Sequence, residues 1–164
     1  MTNSAREVLA DCRGALLELS DGVQGPEWRR RWITAVVLLR AVGHVLENVD
    51  AARTPKHKTA IRNWWSTVAA TKPNPKIFWL FIRDERNLIL KEYRTNAGQG
   101  VSIYASLPGV NLRTGEQQQV PPPSAVYHYK MNSGPFAGRD QRELIEEAIQ
   151  WWEAELDAID ASLR

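Results

Sequence analysis

The stretch WITAVVLLRAVGHVLENV, Trp32 to Val49, decides the fold. It is the most apolar run in the chain, yet Arg40, His44 and Glu47 interrupt it, which argues for a buried helix and against a membrane span. Extended back to Pro26, whose ring suits the first turn of a helix, the segment aligns Trp28, Trp32, Val36, Leu39, Leu46 and Val49 on one face. Ile33, Val37, Leu38 and Val45 cover much of the rest. A helix apolar nearly all round belongs at the centre of a helical assembly. Arg40 and His44 are one turn apart and share a face, so these two polar exceptions call for partners on a neighbouring helix.

Working outward, Ser4 and Glu7 have the spacing of a capping box. Leu9, Cys12, Leu16 and Leu19 then recur at three and four, an amphipathic helix closed by Gly22 and Gly25. On the other side, Thr54-Pro55 caps a minor helix carrying Ile61, Trp64, Trp65 and Val68. TKPNP breaks it, and a further helix is predicted from Pro75 to Tyr93, with stripes Ile77, Phe81, Leu88 and Phe78, Ile82, Ile89. Between Thr95 and Gly138 the composition changes. VSIYASL (Val101–Leu107) and AVYHYKM (Ala125–Met131) are rich in β-formers and read as paired strands around a long Pro/Gly connection. Asp140 and Glu143 then offer a second capping box for a closing helix striped by Ile145, Ala148, Trp152, Leu156, Ile159 and Leu163. The expectation is a mainly α fold: a bundle of four principal helices with a minor helix and a β-hairpin inserted before the last one. One domain covers residues 1–164, with 95–138 as an insertion within it.

The bulk numbers fit that picture. At 164 residues, 43% hydrophobic and 24% charged, the chain can bury a real core. Twenty-one basic against 19 acidic residues give no strong global field, so a nucleic-acid contact has to come from a local patch. The single Cys12 excludes an internal disulfide framework and fits a reducing cytoplasm, and the N-terminus lacks a signal-peptide core. Cys12 also falls within an apolar stripe, which favours packing over nucleophilic chemistry.

No cofactor or metal motif is present in the sequence. His44, His57 and His128 fall on three different elements, without paired Cys/His or HExxH spacing, and no glycine loop precedes a Lys-Ser/Thr. Seven Trp residues point to aromatic bulk in the core or at an interface. Of the adjacent pairs Trp64-Trp65 and Trp151-Trp152, one member each can enter the core. The other, Trp65 and Trp151, is expected at its edge, either marking a dimer interface or packed beneath the 108–125 loop. Tyr127, His128, Tyr129 and Lys130 interleave aromatic and basic side chains, which suits base stacking but is equally ordinary hairpin chemistry.

The remaining constellation is FIRDERNLILKEY, Phe81 to Tyr93. Arg83, Asp84, Glu85, Arg86 and Asn87 carry both signs, and Arg83, Asn87 and Lys91 fall near one line of a helix while Arg86 lies to the side. One reading is structural: Asp84 and Glu85 pair with Arg40 and His44 in a cross-helix polar network. The other rests on Arg86-Asn87-x-x-x-Lys91, which resembles the Arg-Asn-x-x-x-His signature of the HEPN superfamily, helical-bundle proteins found in prokaryotic toxin and phage-defence systems.

That resemblance implies a metal-independent ribonuclease ancestry, often dimeric, in which Arg86 clamps the scissile phosphate and Asn87 supports it. Lys91 stands where the family has histidine, and a lysine with an ordinary pKa near 10.4 is a poor general base at neutral pH. The binding set is then Arg83, Arg86, Asn87 and Lys91, with Arg86 and Lys91 as the catalytic candidates. Three functions stay open: a phosphate- or RNA-binding regulator with a degenerate motif, a working ribonuclease using Arg86 with Lys91 or His44, and a scaffold whose specificity lies in the hairpin. RNA, a second copy of the chain, and a protein docking on 95–138 are the partners these readings imply.

Overall fold

The computed structural model describes residues 1–105, 113 and 122–164. The protein is mainly helical, with a small two-stranded antiparallel sheet. Helix α1 spans Asn3–Glu18, α2 Gly25–Val45, α3 Pro55–Ala70, α4 Asp84–Glu92 and α5 Gln141–Ser162. Strands β1 (Ala97–Tyr104) and β2 (Ser124–Met131) pair from Ala97 opposite Met131 to Tyr104 opposite Ser124. Ser106 and Leu107 of the predicted first strand, and most of the connection after them, lie outside the described residues.

Helix α2 is central as predicted: Trp28, Trp32, Ala35, Val36, Leu39, Val42 and Gly43 are buried, and α1, α4 and α5 pack against it. By length and composition Gly25–Asp50 is apolar enough to cross a membrane. Its last turn departs from the α pattern. Leu46–Asp50 is a π turn, in which the Ala51 amide donates to the Leu46 carbonyl at 3.0 Å, five residues back. The wider turn rotates the face, so Val49, expected on the buried stripe, is 48% exposed and Asp50 is buried instead.

A second π segment, Ile77–Arg83, leads into α4, so the helix predicted from Pro75 to Tyr93 is a composite. Ile77, Phe78, Trp79, Phe81 and Ile82 are all buried. These side chains sweep more than half way round the segment, which is enclosed by α2, α4 and α5 together.

Buried carboxylates join distant parts of the chain. The N-terminus of α1 is not closed by the predicted Ser4–Glu7 box. The Asp50 carboxylate accepts from the Ser4 and Ala5 amides at 3.2 and 2.8 Å, and Asp160 accepts from the Thr2 amide at 2.8 Å and from Arg6. Two acidic groups at a helix N-terminus satisfy free amides and complement the helix dipole. At α5 the expected Asp140 cap is present, its side chain accepting from the Arg142 amide at 2.8 Å. Gln141 is buried beside it. Its amide donates to the Gly98 and Lys130 carbonyls and accepts from the Trp28 indole, holding the hairpin base to α2.

Cys12 is buried, and burial pushes its thiol up to about 12, as suits a packing residue. Like Trp64, Trp65 and Trp151 are half-buried rather than exposed, and they lie at the edge of the core as expected. Both stack against Phe78, with centroids at 5.8 and 5.1 Å, inside a cluster that includes Trp64, Trp79 and Trp152. A phenylalanine carried inward by the π segment gives the indoles a common partner.

Candidate functional site

The predicted cross-helix network does not form, and the reason is which way α4 faces. Glu85 is 1% exposed and turned towards the chain leaving α4. It accepts from the Thr95 hydroxyl, from the Asn96 amide and side chain at 2.9 Å each, and from the Trp32 indole at 3.4 Å. Asp84 pairs with its neighbour Arg83 at 2.7 Å. Neither carboxylate is hydrogen-bonded or ion-paired to Arg40 or His44. His44 is exposed rather than buried.

Arg40 is therefore left with its own kind. Its guanidinium stacks on Phe78 at 5.6 Å and makes no ion pair or hydrogen bond with a described residue. Among the described residues every buried side-chain nitrogen and oxygen has a partner, so the unbonded nitrogens of Arg40 are not fully enclosed. Burial first, then the positive charges of Arg86 and Arg83, push Arg40 below its ordinary value, with Glu47 opposing. His44 is lowered in the same way, by burial and then by Arg40 and Arg86, again opposed by Glu47. The charges of Arg86 and Arg83 are thus felt at Arg40, and those of Arg40 and Arg86 at His44.

Lys91 is not among those charges. Residues five apart on an α-helix differ by about 140° around its axis. Lys91 is exposed and has no hydrogen bond or ion pair with a described residue, whereas Arg86 donates to the Asn87 amide oxygen at 3.1 Å. Arg83 stacks on Trp79 at 4.8 Å.

Beside Arg40 lies a groove of about 550 Å³ between the end of α2, α3, Phe78 and Trp152. Lys58 and Arg62 stand on its α3 side with Trp64 and Trp65, and Glu47 and Asn48 close the other. Neither Lys58 nor Arg62 has a side-chain ion pair among the described residues. Cationic walls over an aromatic floor suit a ligand with an anionic group and a flat, apolar one. Comparisons with protein-family models, with curated proteins and with solved structures return no match.

The α3 residues were not among the predicted site positions. The signal was present: Lys58, Arg62 and Trp65 recur at four and three, one helical face. Gly43 was missed as well. A methyl group added there would sit 2.9 Å from the Arg40 Nη1 and 3.0 Å from the Trp152 ring. Glycine is thus what lets the guanidinium fold back against α2. Gly43→Ala is expected to displace Arg40 and weaken anion binding about tenfold, while the helix-propensity gain of about 1 kcal/mol partly offsets the steric cost to stability. Binding titration beside a thermal melt separates the two effects.

Proposed function

We propose that this protein binds RNA through the phosphate-facing cations Arg40, His44 and Arg86, as a binding or regulatory protein of HEPN-like build with a degenerate nuclease motif. The observation that carries the reading is Arg40, a half-buried guanidinium set among like charges and without a carboxylate partner. Such an arrangement costs stability in the free protein, and an anionic ligand removes that cost. The adjoining tryptophans offer surfaces on which bases can stack. The Arg86-Asn87 resemblance points the same way. The bundle of four principal helices belongs to this proposal, and the toxin or phage-defence setting rests on the resemblance alone.

Fluorescence anisotropy with a labelled single-stranded RNA in EDTA tests it. Affinity is expected to fall with salt, log K against log[salt] sloping by about 0.7 for each phosphate contacted. Arg86→Gln is expected to weaken binding about tenfold or more and to lessen that slope by about one contact. Affinity indifferent to both salt and Arg86→Gln would remove the reading.

One observation favours a second reading, a metal-independent ribonuclease. His44, unlike Lys91, feels the charge of Arg86, and its depressed pKa favours the neutral imidazole that a general base requires. The two readings share a pH signature with opposite consequences. A bound phosphate favours imidazolium, so RNA affinity is expected to rise as pH falls below about 6.5, and His44→Gln should flatten that rise. Cleavage by a neutral imidazole would fall over the same window. In the free protein the depressed pKa contributes stability above about 6.5, which is lost as pH falls through the folded-state value. Cleavage in EDTA that disappears in His44→Gln, with binding retained, would establish the enzyme.

A further inference from the structure

The seam between α2 and α4 continues away from Arg40 to a second cationic and aromatic cluster. At its far end Arg29 of α2 lies over the Tyr93 ring at 5.9 Å. Arg29, Ile33, Ile89, Tyr93 and Arg94 line a depression of about 300 Å³ there. Tyr93 follows the last turn of α4 in the left-handed conformation (φ 53°), which carries its ring out of the helix, 70% exposed. Arg29, Ile33, Arg40 and His44 are spaced by four, seven and four, so they recur along one side of α2. Each end of that side meets α4: Arg29 through Tyr93, and Arg40 and His44 through the charge of Arg86.

We infer that a single-stranded RNA lies along the α2–α4 seam, its backbone running from the Arg40–Arg86 cluster to Arg29 and a base stacking on Tyr93. This rests on the RNA-binding reading above and extends it from one phosphate to a strand. Eleven residues of helix separate Arg29 from Arg40, about 16 Å, which spans about five stacked nucleotides at about 3.4 Å each. A lone phosphate or a dinucleotide engages only one end.

The charges suit a polyanion. Arg29 and Arg30 have no carboxylate partner among the described residues. Arg94 pairs only with the exposed Glu92 at 3.3 Å, and Glu47 and Asp84 are the acidic groups at the other end. Ile33 and Ile89 in the depression beside Arg29 and Tyr93 are apolar surface for a base rather than for backbone.

The test compares a labelled RNA dinucleotide with an octanucleotide in EDTA, using the whole protein, Arg29→Gln and Tyr93→Ala. Both side chains are exposed, and a thermal melt checks that each variant folds. The octanucleotide is expected to bind at least about tenfold more tightly than the dinucleotide. Each variant should weaken the octanucleotide about five- to tenfold and leave the dinucleotide unchanged. Octanucleotide affinity unmoved by both substitutions overturns the seam while leaving the Arg40–Arg86 site intact. Failure of wild-type protein to bind either oligonucleotide overturns both.

Discussion

Glu85→Ala is expected to cost about 3–5 kcal/mol of stability. The carboxylate is buried and accepts from four donors supplied by two parts of the fold: the Trp32 indole of α2, and the segment after α4 with the Thr95 hydroxyl and both nitrogens of Asn96. Thr95 also accepts from Trp32 at 2.9 Å, and the Asn96 carbonyl receives the Asn132 amide at 2.7 Å. Removing the acceptor leaves the part-buried Thr95 hydroxyl and both Asn96 nitrogens without it at once, each costing about 1–3 kcal/mol where water cannot replace it, while Trp32 keeps Thr95. For a chain of this length the loss corresponds to a fall in Tm of roughly 6–20 °C. Glu85→Gln should fall between, because its amide keeps one acceptor oxygen but presents an NH2 group to donors. Circular dichroism melts give the magnitude. Amide exchange gives the location: the Asn96 and Ala97 amides at the hairpin base should lose protection first.

The second large effect is on binding and has the opposite character. Arg40→Met is expected to reduce RNA affinity about ten- to hundredfold, the range for losing one charge-assisted hydrogen-bonding group. The free protein should not suffer. Methionine keeps the apolar stem against Phe78 and loses a cation–π contact of about 0.5–1 kcal/mol. It also relieves the burial of an unpaired charge and its repulsion from Arg86 and Arg83. A substitution that stabilises the fold, or leaves it unchanged, and removes binding is the signature of a residue kept for function.

The contrast between Glu85 and Arg40 shows what one-dimensional spacing can and cannot carry. Periodicity at three and four placed α2 at the centre and found the face shared by Arg40 and His44, because both depend on residues close in sequence. Alternation and β-branched content likewise located the hairpin. Pairing across helices depends on rotation, and two π turns alter it: one exposes Val49 and buries Asp50, the other turns Phe78 and Trp79 inward together. Once rotation is lost, the assignment of Glu85 to Arg40 has nothing to fix it, and the true partners, Thr95 and Asn96, lie just beyond the end of the same helix.

The caps of α1 were hidden for a different reason. Asp50 and Asp160 reach the first turn from sequence separations of 45 and 158 residues, which no local pattern encodes. At the site itself, Arg86 was legible from the motif, and His44 was one of two partners the sequence offered it, a choice that depends on how α2 and α4 pack. Lys91, its substitute in the linear motif, is carried to another side of the helix.

Paired measurements on Arg40→Met, thermal stability without RNA and RNA affinity at fixed salt, decide most directly between an anion site and a structural clamp. An anion site requires Tm to hold within about 2 °C of wild type or to rise, since 1 kcal/mol corresponds to about 2–4 °C here, with affinity down at least about tenfold. A fall in Tm of several degrees with RNA affinity unchanged would make Arg40 a structural residue and remove the basis for RNA binding at this groove.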